Sequence, residues 1–141
     1  VLKENNILNP LRNNTKIILG GIDNQKFTRE LYSIFGNNIE GRFILETEFS
    51  EKKENVIVKK NQVAEKIDYT LSINYKVINK QIDCKVYENI IVTKFSYVPK
   101  SFGYNFGAER SLEKLYKGGI IKNIKTFIKS FPNNKTCKKW K

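Results

Sequence analysis

The longest regular pattern in the chain is an alternation of apolar and polar residues over positions 67–77. Apolar side chains stand at Ile67, Tyr69, Leu71, Ile73, Tyr75 and Val77, and polar ones at Asp68, Thr70, Ser72, Asn74 and Lys76. Successive side chains of a strand point to opposite faces of a sheet, so the pattern predicts a strand with one apolar and one polar face. At about 3.3 Å per residue it spans about 35 Å, which favours a central position in an antiparallel sheet.

Three further segments have the character of strands. Residues 16–22 form a short apolar run that Gly20-Gly21 weakens. Residues 42–58 alternate again, although their polar part, residues 51–55, leaves either a hairpin or one bent strand, of which we favour the single bent strand. In residues 82–96 the apolar side chains occupy even positions at first and odd positions later. This change predicts a bulge near Glu88-Asn89.

Two helices are predicted from apolar positions at helical spacing. The first covers residues 25–35, with Asp23 or Asn24 as the N-cap and Gly36 as the C-terminal stop. The second covers residues 107–131 and stops before Pro132. Its expected apolar stripe comprises Ala108, Leu112, Leu115, Gly119, Ile120, Ile124, Phe127, Ile128 and Phe131. Its expected polar face carries Lys114, Lys117, Lys122, Lys125 and Lys129.

Gly118-Gly119 lies in the middle of this second helix. Two glycines lower helix propensity by about 1–2 kcal/mol, so we expect the helix to approach a strand closely at this point.

The order of these elements defines the expected fold class. Strand, helix, three strands and helix predict an α+β two-layer sandwich, in which a four-stranded, mainly antiparallel sheet carries both helices on one face and leaves the other face polar. We expect an extended lead-in over residues 1–15, one domain over residues 16–131 and a basic tail over residues 132–141.

The basic charge is concentrated in the second part of the chain. The net charge is +12; residues 1–58 hold 8 basic and 8 acidic side chains, whereas residues 59–141 hold 18 and 6. Such a field attracts nucleic acid, anionic lipid or phosphorylated glycolipid, and it is equally typical of a solvated surface. Lysine outnumbers arginine by 22 to 4, which argues against many bidentate phosphate contacts.

The residues available for catalysis are few. The chain has no histidine, and its two cysteines, Cys84 and Cys137, do not form a CxxC pair. Zinc sites, haem attachment and histidine-dependent triads are therefore disfavoured, and we expect neither an enzyme nor a cofactor. Cys84 follows strand spacing, which predicts a small buried apolar residue; pairing with Cys137 stays open.

Several segments together resemble the LptE family of lipopolysaccharide-assembly lipoproteins, in the form found in alphaproteobacteria. They are the opening TKIILGGIDNQKFTRELYSIFG, the strand IDYTLSINYKV and the closing FSYVPKSFGYNFGAERSLEKLYKGGIIKNIKTFI. The resemblance runs from about residue 15 to residue 131. The first residues lack the lipid-bearing cysteine followed by Gly-Phe that the family has. Either the lipid anchor lies outside these 141 residues, as the resemblance implies, or the protein is not a lipoprotein.

The resemblance implies a non-catalytic protein on the periplasmic side of the outer membrane. Members of the family plug the LptD β-barrel, assist its assembly and bind lipopolysaccharide on its way to the cell surface. The aromatic loop of residues 97–106 then becomes the expected contact with the barrel, with Tyr97, Phe102 and Tyr104 as anchors.

Lysines in two loops form the expected lipopolysaccharide site. Lys59, Lys60 and Lys66 lie before the strand at residues 67–77, and Lys100 lies before the second helix. In an antiparallel sheet both connections leave from the same end, which allows four ammonium groups to converge on phosphates.

A nucleic-acid-binding module is the alternative function. A basic sheet with exposed aromatic rings stacks single strands, but the polar positions of residues 67–77 include no aromatic residue and no RNP-like motif is present. A hydrolase or transferase is a weaker alternative, since scattered carboxylates occur without a nucleophile motif.

Overall fold

The computed structural model describes residue 9 and residues 11–57, 65–98 and 105–131. The elements, in chain order, are β1 (Thr15–Gly21), α1 (Gln25–Phe35), β2 (Phe43–Ile57), β3 (Glu65–Asn79), β4 (Cys84–Tyr97) and α2 (Asn105–Ser130). The predicted α+β class and the order of strands and helices are confirmed.

The four strands form one sheet in the order β1-β2-β3-β4. The β2–β3 and β3–β4 pairs are antiparallel, whereas β1 runs parallel to β2, with Thr15 opposite Phe43. Parallel neighbours require a crossover, and α1 supplies it. The sheet is therefore mixed but mainly antiparallel.

The polar segment in the middle of β2 does not interrupt the strand. Glu51 lies opposite Leu71 and Asn55 opposite Ile67, and the register runs without a shift from Phe43 to Ile57. The prediction of a single element rather than a hairpin is confirmed. Pairing along the whole length of β3 holds these polar residues extended.

The bulge in β4 lies two residues earlier than predicted. Val77 is opposite Tyr87 and Ile78 is opposite Lys85, so Val86 is the extra residue. The expected position near Glu88-Asn89 is wrong, because the parity of the inward side chains changes between Val86 and Tyr87.

Two other residues near the start of β4 differ from expectation. Ile82 lies in the turn before β4 and is 60% exposed, although it was predicted to start the strand. Cys84 is half-buried and disulfide-bonded, so the prediction of a small buried apolar residue is wrong, whereas a disulfide is the alternative that the sequence leaves open. Cys137 lies outside the described residues.

The first helix has the predicted ends. The Phe27 backbone N–H donates to Asn24 Oδ1 at 3.0 Å, which makes Asn24 the N-cap, and Gly36 closes the helix with a φ of 73° and a hydrogen bond from its N–H to the Tyr32 carbonyl. Phe27, Leu31 and Phe35 are buried against the sheet.

The second helix buries a stripe that differs in part from the predicted one. Leu115 was expected in the core but is 40% exposed, while Tyr116 and Asn123, which were not expected there, are buried. The predicted stripe is otherwise present among the described side chains: Gly119, Ile120, Ile124, Phe127, Ile128 and Phe131 are buried and Leu112 packs against them. All five predicted lysines are exposed.

Residues 11–15 belong to the packed domain rather than to an extended lead-in. Leu11 and Thr15 are buried, and residues 11–14 form turns. The Asn13 N–H donates to the Phe35 carbonyl at 2.8 Å, and Arg12 Nη1 donates to the Ile34 carbonyl at 2.8 Å. This segment therefore covers the C-terminal end of α1.

Gly119 confirms the expected close approach of α2 to the sheet. A Cβ atom at Gly119 would lie 3.0 and 3.1 Å from two ring carbons of Phe95, whereas one at Gly118 would have no described neighbour within 4 Å. The Phe95 ring stacks on Tyr69 at 5.0 Å and meets the edge of Tyr116 at 5.8 Å, so it has little room to move.

These adjacent glycines give a matched pair of alanine substitutions. Gly118→Ala is expected to raise the free energy of unfolding by about 1 kcal/mol through helix propensity. Gly119→Ala gains the same propensity but forces the Phe95 ring to shift, so we expect a net loss of about 1–2 kcal/mol. Urea denaturation of both variants measures the difference, and equal stabilisation by the two would contradict the close packing.

Candidate functional site

Both connections that carry the predicted site residues are joined to the same end of the sheet. β2 ends at Ile57, β3 begins at Glu65 and β4 ends at Tyr97. Val56 pairs with Lys66, and Ile67 pairs with Tyr97. The β2–β3 and β4–α2 connections therefore leave from the same end, as predicted, and we call it the loop end.

Of the four predicted phosphate-binding lysines, Lys66 lies in the described structure. Its ammonium group is 3.8 Å from Asp68 Oδ1, and the same oxygen accepts a hydrogen bond from Ser96 Oγ at 2.7 Å. A phosphate at Lys66 would have to compete with this carboxylate, although a surface ion pair of this kind contributes at most about 1 kcal/mol. Lys59, Lys60 and Lys100 lie outside the described residues.

Two lysines that sequence reasoning missed stand close to the loop end. The register places Lys52 and Lys94 on either side of Thr70 in one row across three strands. Both are exposed, and neither has a carboxylate within 4 Å among the described residues. At about 4.8 Å between strands, their backbones lie about 10 Å apart. The proximity of Lys52 and Lys94 depends on the register between the strands, which the sequence pattern does not specify.

Tyr97, the first of the three predicted aromatic anchors, lies in the core. It is 7% exposed at the last position of β4. Phe102 and Tyr104 lie outside the described residues. To serve as an anchor, Tyr97 would have to leave the core, which would expose its ring to water.

Beneath the loop end, on the face covered by the helices, three aromatic rings form a cluster. Tyr69 and Phe95 stack at 5.0 Å, and Tyr116 meets them edge-on at 5.9 and 5.8 Å. Such arrangements contribute beyond the area they bury. Tyr116 was missed as a core residue, but its spacing of four residues from both Leu112 and Ile120 is a signal that it shares their face.

The Tyr116 hydroxyl joins three elements. It donates a very short hydrogen bond to Glu51 on β2 and accepts one from Asn24 Nδ2, at the start of α1, at 2.9 Å. Burial and the Glu51 carboxylate raise the pKa of Tyr116 above its usual range, and burial followed by the same carboxylate raises the pKa of Tyr69. Both phenols are therefore protonated at neutral pH, where Tyr116 serves as a hydrogen-bond donor that fixes the helices on the sheet.

The face of the sheet away from the helices, which we call the outer face, has nearly balanced charge. Its described side chains include six lysines and five carboxylates. The lysines are Lys16, Lys52, Lys66, Lys76, Lys85 and Lys94, and the acids are Glu46, Glu48, Glu54, Asp68 and Glu88. The strong basic excess of the chain is therefore not found on this face.

Polar groups on the outer face interact across strands. Lys76 Nζ lies 3.9 Å from Glu46 Oε1, and Glu88 accepts hydrogen bonds from Lys85 Nζ at 2.8 Å and Asn74 Nδ2 at 3.1 Å. These two hydrogen bonds, Lys85 first, lower the pKa of Glu88. The outer face is thus ordered by its own pairs before any partner binds.

The outer face is less polar than the sequence predicted. Ile90 and Val92 on β4 are 60% and 51% exposed, beside Asn74 and Ser72 of β3, and Ile18 of β1 is exposed at the other side. No aromatic side chain occurs on this face in the described strands, which leaves a nucleic acid base without a ring on which to stack. A surface that mixes apolar side chains with polar and charged ones suits a protein partner instead.

The described residues include no cluster of metal-ligating side chains, and no helix among them is long and apolar enough to cross a bilayer.

The domain has the same fold as three solved bacterial lipoproteins. A lipoprotein of Caulobacter crescentus CB15 superposes with a TM-score of 0.60 at 10% identity, covering 84% of this chain and 88% of its own. The minor lipoprotein of Acinetobacter baumannii gives 0.55 at 10% identity over 86% and 92%. Rare lipoprotein B of Shewanella oneidensis gives 0.55 at 14% identity over 82% and 92%.

Sequence comparison adds no family to this structural likeness. No family model matches the chain, and no curated protein matches it. At such low identities the likeness defines the fold alone.

Proposed function

We propose that this protein is a non-catalytic lipopolysaccharide-assembly lipoprotein of the LptE type, held on the periplasmic side of the outer membrane. The observation that carries the proposal is the fold shared with lipoproteins over more than four fifths of this chain and of theirs. The sequence resemblance to LptE supports the same function. The disulfide at Cys84 is consistent with an oxidising compartment such as the periplasm.

In this proposal the outer face is the surface that meets an LptD-like barrel. Basic and acidic side chains on the outer face are nearly equal in number, so a barrel can enclose this face without burying a large net charge. Ile90 and Val92 offer apolar contact at the edge strand β4. Phe102 and Tyr104, in the connection from β4 to α2, are the further anchors that the proposal requires.

Co-expression with the cognate barrel tests this role. A tag on the barrel is expected to recover the chain in a stable complex, and the double variant Ile90→Lys, Val92→Lys is expected to reduce recovery at least about tenfold, since it places two charges in an apolar contact. Leu115→Lys, at a 40% exposed apolar position on α2, is the control and is expected to leave recovery unchanged.

Two results would count against the barrel contact. One is recovery of the barrel without this chain under conditions that keep other outer-membrane complexes intact. The other is equal recovery of the double variant and wild type, which would place the contact on another surface.

Lipopolysaccharide binding at the loop end is the second part of the proposal. Lys59, Lys60, Lys66 and Lys100 are its phosphate-binding residues. If each partly exposed contact contributes about 1 kcal/mol, replacing Lys59, Lys60 and Lys100 with glutamine weakens binding by about a hundredfold. The effect should shrink as salt rises, because exposed charges are screened.

The measurement is lipopolysaccharide binding by wild type and the triple variant at low and moderate salt. A variant with Lys16, Lys76 and Lys85 replaced by glutamine has the same net charge but keeps the loop lysines. Equal affinities of the loop variant and wild type would exclude this site and would leave the barrel role standing.

A further inference from the structure

Most of the excess of basic over acidic side chains in the described domain is on its two helices, which form the helical layer. The described side chains of α1 and α2 include seven basic and two acidic residues, against six and five on the outer face. The basic residues are Lys26, Arg29, Lys114, Lys117, Lys122, Lys125 and Lys129, and the acidic ones are Glu30 and Glu113. The two faces of this sandwich therefore differ sharply in charge.

Four of the α2 lysines form one line along the helix. At 3.6 residues per turn, Lys114, Lys122, Lys125 and Lys129 fall within an arc of about 80° and span about 22 Å of the helix axis. All four are exposed, and none has a carboxylate within 4 Å among the described residues. We call these four residues the lysine stripe.

The other α2 lysine is already engaged. Lys117 lies 3.9 Å from Glu30 of α1, whose side chain is largely buried. The acidic residues of the helical layer are thus placed toward the groove between the helices, where Glu30 and Glu113 line a cavity of about 400 Å³. Within the described part of the chain, the lysine stripe therefore has no carboxylate paired with it.

Two apolar residues flank the lysine stripe. Leu115 is 40% exposed about 20° beyond the Lys122 edge of the arc, and Ile121 is half-buried about 20° beyond the Lys114 edge. Gly118 lies within the arc and adds no side chain that would keep the helix away from a flat surface. Lysine stems lie along the apolar boundary of a membrane while their ammonium groups stay among the headgroups, and the exposed Leu115 adds apolar contact at the same surface.

We propose that the lysine stripe docks the helical layer on a bilayer containing anionic phospholipids, with α2 parallel to the membrane plane. Point charges on flexible stems suit mobile headgroups, which do not require the bidentate geometry of arginine. The stripe lies on a convex, ring-free helix surface, which disfavours a single-stranded nucleic acid. The docking does not rest on the proposed function, and it leaves the outer face free for a protein partner.

The test is sedimentation of the chain with vesicles of phosphatidylcholine, with and without phosphatidylglycerol. We expect binding to the anionic vesicles alone, with a loss as salt rises. Each lysine near an anionic surface contributes about fivefold, so a variant with Lys122, Lys125 and Lys129 replaced by glutamine should bind about a hundredfold more weakly. Circular dichroism of the free variant checks that it is folded.

The control variant replaces Lys16, Lys76 and Lys85 on the outer face with glutamine and therefore has the same net charge. It should bind anionic vesicles within a few-fold of wild type. Equal losses in the two variants would show that total charge acts rather than the lysine stripe, and would overturn the proposal. Absence of binding to anionic vesicles, or tighter stripe-dependent binding to a single-stranded oligonucleotide, would overturn it as well.

Discussion

Replacing Phe127 with alanine is expected to lower the free energy of unfolding by about 3–5 kcal/mol. The Phe127 ring stacks on Tyr75 with centroids 4.2 Å apart and planes within 3°, and it also contacts the rings of Phe35, Tyr87 and Phe131. It is fully buried between α2 and the sheet. Removal leaves a cavity with rigid aromatic walls that cannot collapse into it, so the loss should fall in the upper part of this range.

Leu115→Ala is the matched control for this substitution. Leu115 is on the same helix and was predicted to share its apolar stripe, but it is 40% exposed. We expect a loss below about 1 kcal/mol, since few of its contacts are buried. Chemical denaturation of both variants checks the contrast. Similar losses at the two positions would mean that α2 is rotated relative to the orientation described.

Asn123→Leu is expected to destabilise the protein by about 2–4 kcal/mol, even though leucine has a similar size. Asn123 is completely buried; its Oδ1 accepts from the Tyr75 hydroxyl at 2.7 Å, and its Nδ2 donates to the Ile91 carbonyl and to Thr93 Oγ1 at 2.9 Å each. Leucine would leave the buried Tyr75 hydroxyl without its acceptor, and this desolvation cost dominates the expected loss.

A double-mutant cycle separates that cost from packing. Tyr75→Phe in the Asn123→Leu background removes the stranded hydroxyl and is expected to recover about 1–2 kcal/mol, whereas Tyr75→Phe alone should destabilise. Urea denaturation of the two single variants and the double variant gives the coupling energy. Additive losses would show that the hydrogen bond is not what holds Asn123 in the core.

The buried Asn123 also shows where a sequence pattern stops being informative. A polar residue between Ile120 and Ile124 has the spacing of a core position, yet its chemistry indicates a solvent-facing one. Its partners, Tyr75 and Thr93, lie on β3 and β4, and the sequence pattern does not indicate that these residues contact Asn123. Leu115 is the converse case, because its chemistry indicates the core while its angle on the helix directs it to solvent.

Local sequence patterns, by contrast, were sufficient wherever a structural feature depended on a single segment of the chain. The α1 bounds followed from Asp23 or Asn24 as the N-cap, from apolar residues at helical spacing and from Gly36, and the structure has Asn24 and Gly36 at the two ends. The parity change in β4 predicted a bulge, but its location at Val86 depends on pairing with β3. Of the candidate site, the common direction of the two loops was predictable from antiparallel pairing, whereas the burial of Tyr97 and the neighbouring Lys52 and Lys94 required the register.

The unequal strand lengths have a consequence for local unfolding. β1 has seven residues, is bonded to a single neighbour and ends in Gly20-Gly21, whereas β3 has fifteen and is paired on both sides. Detaching β1 breaks one short parallel ladder, while detaching β3 separates the whole sheet. The amides of β1 should therefore exchange with solvent through partial opening, and those at the centre of β3 only when the entire domain unfolds.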